Sequence, residues 1–448
     1  MQHKFVRAKG GRPIAVDWTS LTRPGQDLVR PSPDHTRTLT LVSLHFHPEP
    51  IGTAVPVSDF AAWCVEQGWD VCTLTGLPHY PSRRVMPEAR DCRVHDQDGR
   101  TMRWRGVRVR RLSHFVARSP GALGRFITEG SFAIRLAMHG LFRTALHQKV
   151  VSVCPSLLAV AVVSLFRPTH HTVIVHDLPS GLGAGVAGAN TFLVALVRSI
   201  ERWSLSRADR LIAVSHALKE QLTHAGVSTP CVVIPPHINE QAICVLPERS
   251  GLVTALYSGA VGLKQGFETL LDAAALIEQT QDNKVRFVVR GDGGTARELE
   301  KAITDRALAC VSFEPLVATD QLSRGLADGH IHIILQRPEA SSYAMPSKLF
   351  ATLAAGRPFI ATACQESDLG RLTRASGAGL LVPYNDPHAL AQAVIRLSQD
   401  ARLRVEMGAR GRRYLEAELS RGALCAKTLE IVENRDPMEP RLRAGDAD

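Results

Sequence analysis

Three short segments carry residue types suited to holding a diphosphate. They are Tyr257-Ser-Gly-Ala-Val-Gly-Leu-Lys-Gln-Gly266, Arg290-Gly-Asp-Gly-Gly294 and Pro346-Ser-Lys-Leu349. Each follows or borders a short apolar run that reads as a strand. Glycine permits φ > 0 and removes the Cβ that would keep a ligand off the backbone. Lys264, beside the first glycine turn, offers a point charge suited to a phosphate. A departing diphosphate gathers negative charge, and a preorganised cation stabilises that charge. The plainer reading of Lys264 is an exposed lysine at a helix start. In the second segment, Gly291 and Gly293 would let a base or ribose approach the backbone. Asp292 would serve a ribose hydroxyl or merely hold its own turn. In the other half of the chain, His176-Asp177 ends an apolar run. Asp177 could accept a hydroxyl proton or stabilise developing positive charge. It could equally cap the turn before Pro179.

Strand-like runs place these residues. In the first half they are Leu39–Phe46, Asp70–Gly76, Val107–Leu112, Lys149–Cys154, Thr172–His176 and Arg210–Val214. They are short, continuous and rich in Val, Ile and Leu, as buried parallel strands are. Val55–Gln67 fits a helix stopped at Gly68. Ala122–His147 fits a longer amphipathic helix, with interruptions open at Gly130 and Gly140. Pro235-Pro236 marks a linker. Five further strands follow: Thr254–Ser258, Val285–Val289, Ile331–Leu335, Pro358–Thr362 and Gly379–Val382. The helical segments Phe267–Gln279, Thr295–Thr304, Ser347–Ala355 and Pro387–Leu397 fall among them. This alternation predicts two doubly wound α/β domains. In such pairs ligands lie at the carboxyl ends of the strands, in the crevice between the sheets. All the segments above sit at such ends. The expected division is an N-terminal extension over 1–36, a first domain over 37–236, a second over 237–432 and a tail over 433–448. Both terminal stretches read as disordered.

A chain of 448 residues is long enough for two cores without covalent staples. Its nine cysteines have no metal or redox spacing, so they read as reduced thiols in a cytoplasmic protein. No apolar leader opens the chain. The longest apolar stretch, Val150 to Phe166, is broken by Pro155 and too short to span a bilayer. The formal charge is +10, and the segment from Arg83 to Lys149 alone holds 15 Arg/Lys against five Asp/Glu. Three readings stand: an ordinary solvated surface, a face for anionic lipid headgroups or a diphosphate-linked acceptor, or a nucleic-acid surface. No nucleic-acid module accompanies the charge, so no nucleic-acid partner is expected. The Ala122–His147 segment, with Arg125, Arg135 and Arg143, suits a membrane interface or packing on its own sheet. His45 and His47 read as structural or surface residues. No Ser-His-Asp set, P-loop or metal-ligand spacing is visible.

Taken in order, the motifs resemble glycosyltransferase family 4, and within it the bacterial exopolysaccharide (colanic-acid type) branch. The resemblance runs over about residues 38 to 420. It rests on Leu41-Val-Ser-Leu-His-Phe-His-Pro-Glu-Pro-Ile-Gly-Thr-Ala54, Leu74-Thr-Gly-Leu-Pro-His-Tyr-Pro81, Val175-His-Asp-Leu-Pro179, Ala208-Asp-Arg-Leu-Ile-Ala-Val-Ser215 and the three segments above. It implies the GT-B fold, two Rossmann-like domains facing across a cleft. It places Gly52 and Thr53 against donor phosphates and Glu49 by the acceptor. It puts His176 or Asp177 at the reacting sugar and a phosphate-binding cation at Lys264, with Gly259 in the same loop. Ser347, Lys348 and Leu349 would open the donor helix, whose first amides could meet phosphate oxygens. Two departures stand out. Relatives often carry an arginine in the first glycine loop, where this chain has Gly259, Ala260 and Val261. The wider family has two glutamates eight positions apart; here Lys348 stands at the second, and Glu339 is out of register.

The resemblance therefore implies transfer of a sugar from a nucleotide-diphosphate-sugar to a glycan, with a polyprenyl-diphosphate-linked acceptor in extracellular polysaccharide synthesis. It also implies retention of configuration, no cofactor and no required metal. A peripheral place on the inner membrane face is expected. The alternatives are a nucleotide-sugar epimerase on the same fold and a non-catalytic nucleotide-sugar-binding scaffold.

Overall fold

The structure is a computed structural model that describes residues 37–49, 51–80, 83–86, 101–118, 122–142, 144–179, 191–280, 285–338 and 345–433. The expected disorder of 1–36 and of the tail beyond 433, and the residues Glu339 and Arg143, lie outside the described residues.

The first sheet has eight strands: β1 (Thr38–Ser43), β2 (Asp70–Thr75), β3 (Thr101–Trp104), β4 (Val107–Arg111), β5 (Lys149–Cys154), β6 (His170–Val175), β7 (Arg210–Ala213) and β8 (Cys231–Val233). Their spatial order is β3-β4-β2-β1-β5-β6-β7-β8. All pairs are parallel except β3 with β4. The second sheet holds β9 (Val253–Ala260), β10 (Val285–Asp292), β11 (Val311–Glu314), β12 (Ile331–Ile334), β13 (Phe359–Thr362) and β14 (Gly379–Val382), in the order β11-β10-β9-β12-β13-β14. Both sheets reverse strand order beside their first strand, β1 against β5 and β9 against β12. Ligands of open α/β sheets gather at such a switch point. The inner strands are buried on both faces, which is why they read as unbroken apolar runs: Leu39, Leu41 and Val42 in β1 and Val150, Val151 and Val153 in β5 are all within the core.

Several elements differ from expectation. β9 and β10 run further than their apolar content suggests, because they stay in register as far as Gly291 beside Gly259 and Asp292 beside Ala260. The helix Ala122–Phe142 passes through both Gly130 and Gly140 without a break. A Cβ at Gly140 would lie 2.6 Å from Leu146 Cδ1 and 2.7 Å from Phe166 Cζ, so that glycine admits the neighbouring helix Leu157–Phe166. This last helix starts two residues after Pro155, with Ser156 preceding it.

The boundary expected at 236/237 leaves 237–432 in one domain, but the chain returns. Helix Ala401–Glu418 belongs to the second domain, and helix Arg421–Val432 packs across β5, β6 and β7 beside helix Ala54–Glu66 of the first. Its apolar face, Leu424, Cys425, Leu429, Ile431 and Val432, is buried there. Arg421 Nε donates to Asp59 Oδ2 at 2.7 Å and Nη1 to Glu66 Oε2 at 2.9 Å. The linker joins the same cluster, with His237 Nε2 3.1 Å from Asp59 Oδ2. A second tie between the domains is Asp368, which accepts from the amides of His216 and Ala217 at 3.1 and 3.0 Å.

Candidate functional site

A cavity of about 550 Å³ opens between the two domains. Gly52 and Val55 supply its first-domain wall, and Pro236 and His237 bring the linker to it. Gly259, Lys264, Ser347 and Lys348 line it from the second domain. Five of the expected residues thus converge: Gly52, Gly259, Lys264, Ser347 and Lys348.

The glycine loop shows why those residues are needed. Gly259 has φ +142°, which a side chain would strain. A Cβ there would also stand 3.3 Å from Lys348 Cε. The loop itself carries no cation before Lys264, yet a second ammonium is brought to it from the helix Lys348–Ala354. Lys348 Nζ donates to the Tyr257 hydroxyl and lies 3.7 Å from the centre of that ring. Tyr257 in turn donates to Ala260 O at 2.5 Å. Burial pulls the Lys348 ammonium down from its ordinary range to about 7 and pushes the Tyr257 hydroxyl up. An anion in the cavity would relieve the first of these effects. The Ser347 and Leu349 expectation rested on helix amides. Ser347 is exposed and lines the cavity, Leu349 is buried in the core, and Lys348 brings the ammonium of this motif to the glycine loop.

Lys264 is exposed at the cavity rim, and the first-domain carboxylate that feels it is Asp177. Burial raises the Asp177 carboxyl, and the Lys264 charge opposes that rise. Asp177 Oδ1 also accepts from the Leu178 amide at 2.9 Å, so the turn-capping role and a place opposite Lys264 coexist. His176 is held neutral, at about 4, by burial and by the nearby His237. Its Nε2 is buried with no hydrogen-bond partner among the described residues.

Other expected residues lie elsewhere. A Cβ on Gly291 would meet Gly259 O at 2.3 Å, and one on Gly293 would meet Val261 O at 2.0 Å. These glycines seat one loop on the other and do not border the cavity. Asp292 is exposed and accepts from the Gly293 amide at 2.7 Å, which holds its own turn. Arg290 is structural: it donates to Glu314 at 2.8 Å, Asp328 at 3.1 Å and Gly325 O at 2.8 Å. Thr53 precedes helix Ala54–Glu66 and makes no side-chain cap. Glu49 is not an open acceptor group. It is buried, with its Oε1 taking the amides of His79 and Tyr80 at 2.9 Å each. Sequence reasoning missed Tyr257 as an orienting group, and also His332. The latter lines the cavity and is held at about 4 by burial. Both lie inside apolar strand runs, where polar side chains read as core.

Helix Ala122–Phe142 answers the question left open by its pattern. Phe132, Ala133 and Leu136 pack inward. Leu123, Phe126, Ile127, Ile134, Met138, Leu141 and Phe142 are exposed, the last at 80%, and Arg125 and Arg135 are exposed among them. Packing on its own sheet accounts for only one side of this helix. Among the described residues no helix is long and apolar enough to cross a membrane.

Comparison with known proteins agrees with this architecture. Residues 52–237 match the family model described as a glycosyl transferase 4-like domain, and residues 253–400 match that of glycosyl transferases group 1. The Escherichia coli (strain K12) glycosyl transferase WcaI, named for colanic acid biosynthesis, is 26% identical over 357 residues, 75% of this chain and 85% of its own. Among solved structures, sucrose-phosphate synthase of Thermosynechococcus elongatus superposes with a TM-score of 0.68 at 18% identity, covering 89% of this chain and 98% of its own. HepE of Anabaena, in complex with UDP, gives 0.63 at 13%, covering 89% and 100%. The two sheets and the cleft between them are therefore a GT-B fold. With both halves matched, the chain belongs to glycosyltransferase family 4, and its relatives include glycosyltransferases named for bacterial exopolysaccharides.

Proposed function

We propose that this protein moves a sugar from a nucleoside-diphosphate sugar to a lipid-diphosphate-linked glycan, with retention of configuration, at the surface of an anionic membrane. The observation that carries the reading is the meeting of Lys264 and Lys348, from two different elements, around the Gly259 loop in an interdomain cavity. Two cations beside backbone free of side chains suit the diphosphate of a leaving group, whose charge grows as the sugar departs. Asp177 stands on the other domain opposite Lys264. Its raised affinity for a proton suits it to take one from an acceptor hydroxyl. The UDP complex of HepE supports a nucleoside-diphosphate donor, and the colanic-acid name of WcaI supports a growing exopolysaccharide as acceptor. The membrane part rests on the exposed apolar and arginine side of helix Ala122–Phe142, the pattern of an interfacial helix.

The test is incubation of the protein with a panel of UDP-, GDP- and dTDP-sugars. Slow release of free sugar from one donor, faster with acceptor, is expected. Tight donor binding without any turnover would reassign the protein as a nucleotide-sugar scaffold. Epimerisation at C2 would make it an isomerase.

A further inference from the structure

Outside the donor cavity, one cluster joins metal-ligating side chains from two loops. We propose that His45, Glu49 and His79 form a site for a divalent transition-metal ion of the Zn²⁺ kind. One ligand atom from each of the three lies within 4.8 Å of the others. His45 Nδ1 and Glu49 Oε2 are already 3.0 Å apart. Zn–N and Zn–O bonds of about 2.0–2.2 Å place tetrahedral ligand atoms about 3.3–3.6 Å from one another, so an ion would draw the wider pairs together by about 1 Å.

The surroundings are those of a built site. Glu49 Oε1 is fixed by the two backbone amides of His79 and Tyr80, which leaves Oε2 for an ion. His79 Nδ1–H donates to Leu77 O at 2.8 Å, which fixes the tautomer and leaves the lone pair on Nε2. Outer bonds of both kinds orient metal ligands. His114 packs edge-on against His79, with ring centres 5.6 Å apart, and its Nε2 is buried with no hydrogen-bond partner among the described residues. Side-chain exposure of 1% at Glu49, 11% at His79 and 20% at His45 makes His45 the point of entry. Two imidazoles and one carboxylate favour zinc over magnesium or calcium, which prefer all-oxygen sites.

The site would act on the enzyme through position. His45 and Glu49 lie on the loop after β1, which runs on into Gly52 at the donor cavity, and His79 lies on the loop after β2. An ion would fasten one loop to the other and fix the first-domain wall of the cavity. Linear spacing hides the site, because Glu49 and His79 are 30 residues apart.

The experiment uses tag-free full-length protein, stripped with a chelator and titrated calorimetrically with Zn²⁺. Co²⁺ serves as a second probe, read by its visible absorption. One tight equivalent per chain is expected, together with a rise in melting temperature on adding Zn²⁺. His45→Ala and His79→Ala should each weaken binding about 100-fold and abolish the thermal response, as loss of a ligand or its support does. His45 is at the rim, so its variant should melt like metal-free wild type in the absence of ion. Three results would overturn the site. They are no Zn²⁺ binding tighter than about 10 µM, equal binding by wild type and both variants, and full replacement of Zn²⁺ by Mg²⁺.

Discussion

With Lys348 in the donor site as proposed, donor binding depends on pH in a direction and size that can be worked out. Burial lowers its ammonium from the ordinary 10.5 to about 7. At about 1.4 kcal/mol per pH unit, roughly 5 kcal/mol separates this ammonium from one in water. A diphosphate needs the charged form and restores it on binding. The apparent Kd then scales as one plus ten raised to the pH minus 7. It is nearly constant below pH 7 and rises about tenfold between pH 6 and pH 8. At pH 8 binding takes up close to one proton. The assay is calorimetric titration of an intact nucleotide sugar, whose diphosphate does not titrate in this range, in buffers of different ionisation enthalpy. Lys348→Met should bind weakly at every pH, with neither the rise nor the proton uptake. The same substitution should stabilise the protein when no donor is added. A folded-state value below the unfolded one is a penalty on the charged form, fully present below about pH 7 and gone above about 10.5. The gain in melting temperature should therefore shrink as pH climbs through that window. A wild-type Kd constant within twofold from pH 6 to 8, with no proton uptake, would refute this account of Lys348.

Three further outcomes are expected. Lys264→Ala should lose roughly 2–4 kcal/mol of transition-state stabilisation, measured as kcat/KM on a folded protein; turnover within threefold of wild type would remove it from the phosphate site. Asp177→Asn should leave donor affinity nearly unchanged and slow transfer about 10²-fold or more; collapse of donor affinity with normal transfer at saturation would make Asp177 a structural residue. Wild-type protein should bind anionic vesicles and leave them as salt is added. Replacing Arg125 and Arg135 by Glu should weaken that binding by about 1 kcal/mol per cation without changing donor hydrolysis in solution; equal partition onto neutral and anionic vesicles would withdraw the membrane surface.

The legible parts of this fold are those where burial on both faces demands unbroken apolar residues. The run at Lys149–Cys154 matches the observed strand end to end, and that at Pro358–Thr362 overshoots its strand by one residue. The three strands that sequence reasoning missed, β3, β8 and β11, are all sheet edges. An edge strand packs on fewer sides, so Thr101–Trp104 and Val311–Glu314 can carry Arg, Ser and Glu. In the site, glycine and lysine spacing pointed to the loop that lines the cavity because those residues answer a local need. Glu49, Tyr257 and His332 were misread or passed over because their roles arise from partners far along the chain. Gly291 and Gly293, expected at a ligand, permit the close approach of another loop of the same protein.

The return of helix Arg421–Val432 to the first sheet has a consequence for how this chain can be made. Ribosomal synthesis delivers the first domain early, but that domain cannot complete its core then. Its surface over β5, β6 and β7 stays apolar and uncovered until nearly the last described residues emerge. The second domain has by then been synthesised in full. A nascent chain stalled near residue 420 would carry two nearly finished sheets and an open patch on the earlier one. Such a product is a natural client for chaperones and proteases, so nonsense changes in the last stretch should lower abundance more than their distance from the donor cavity suggests.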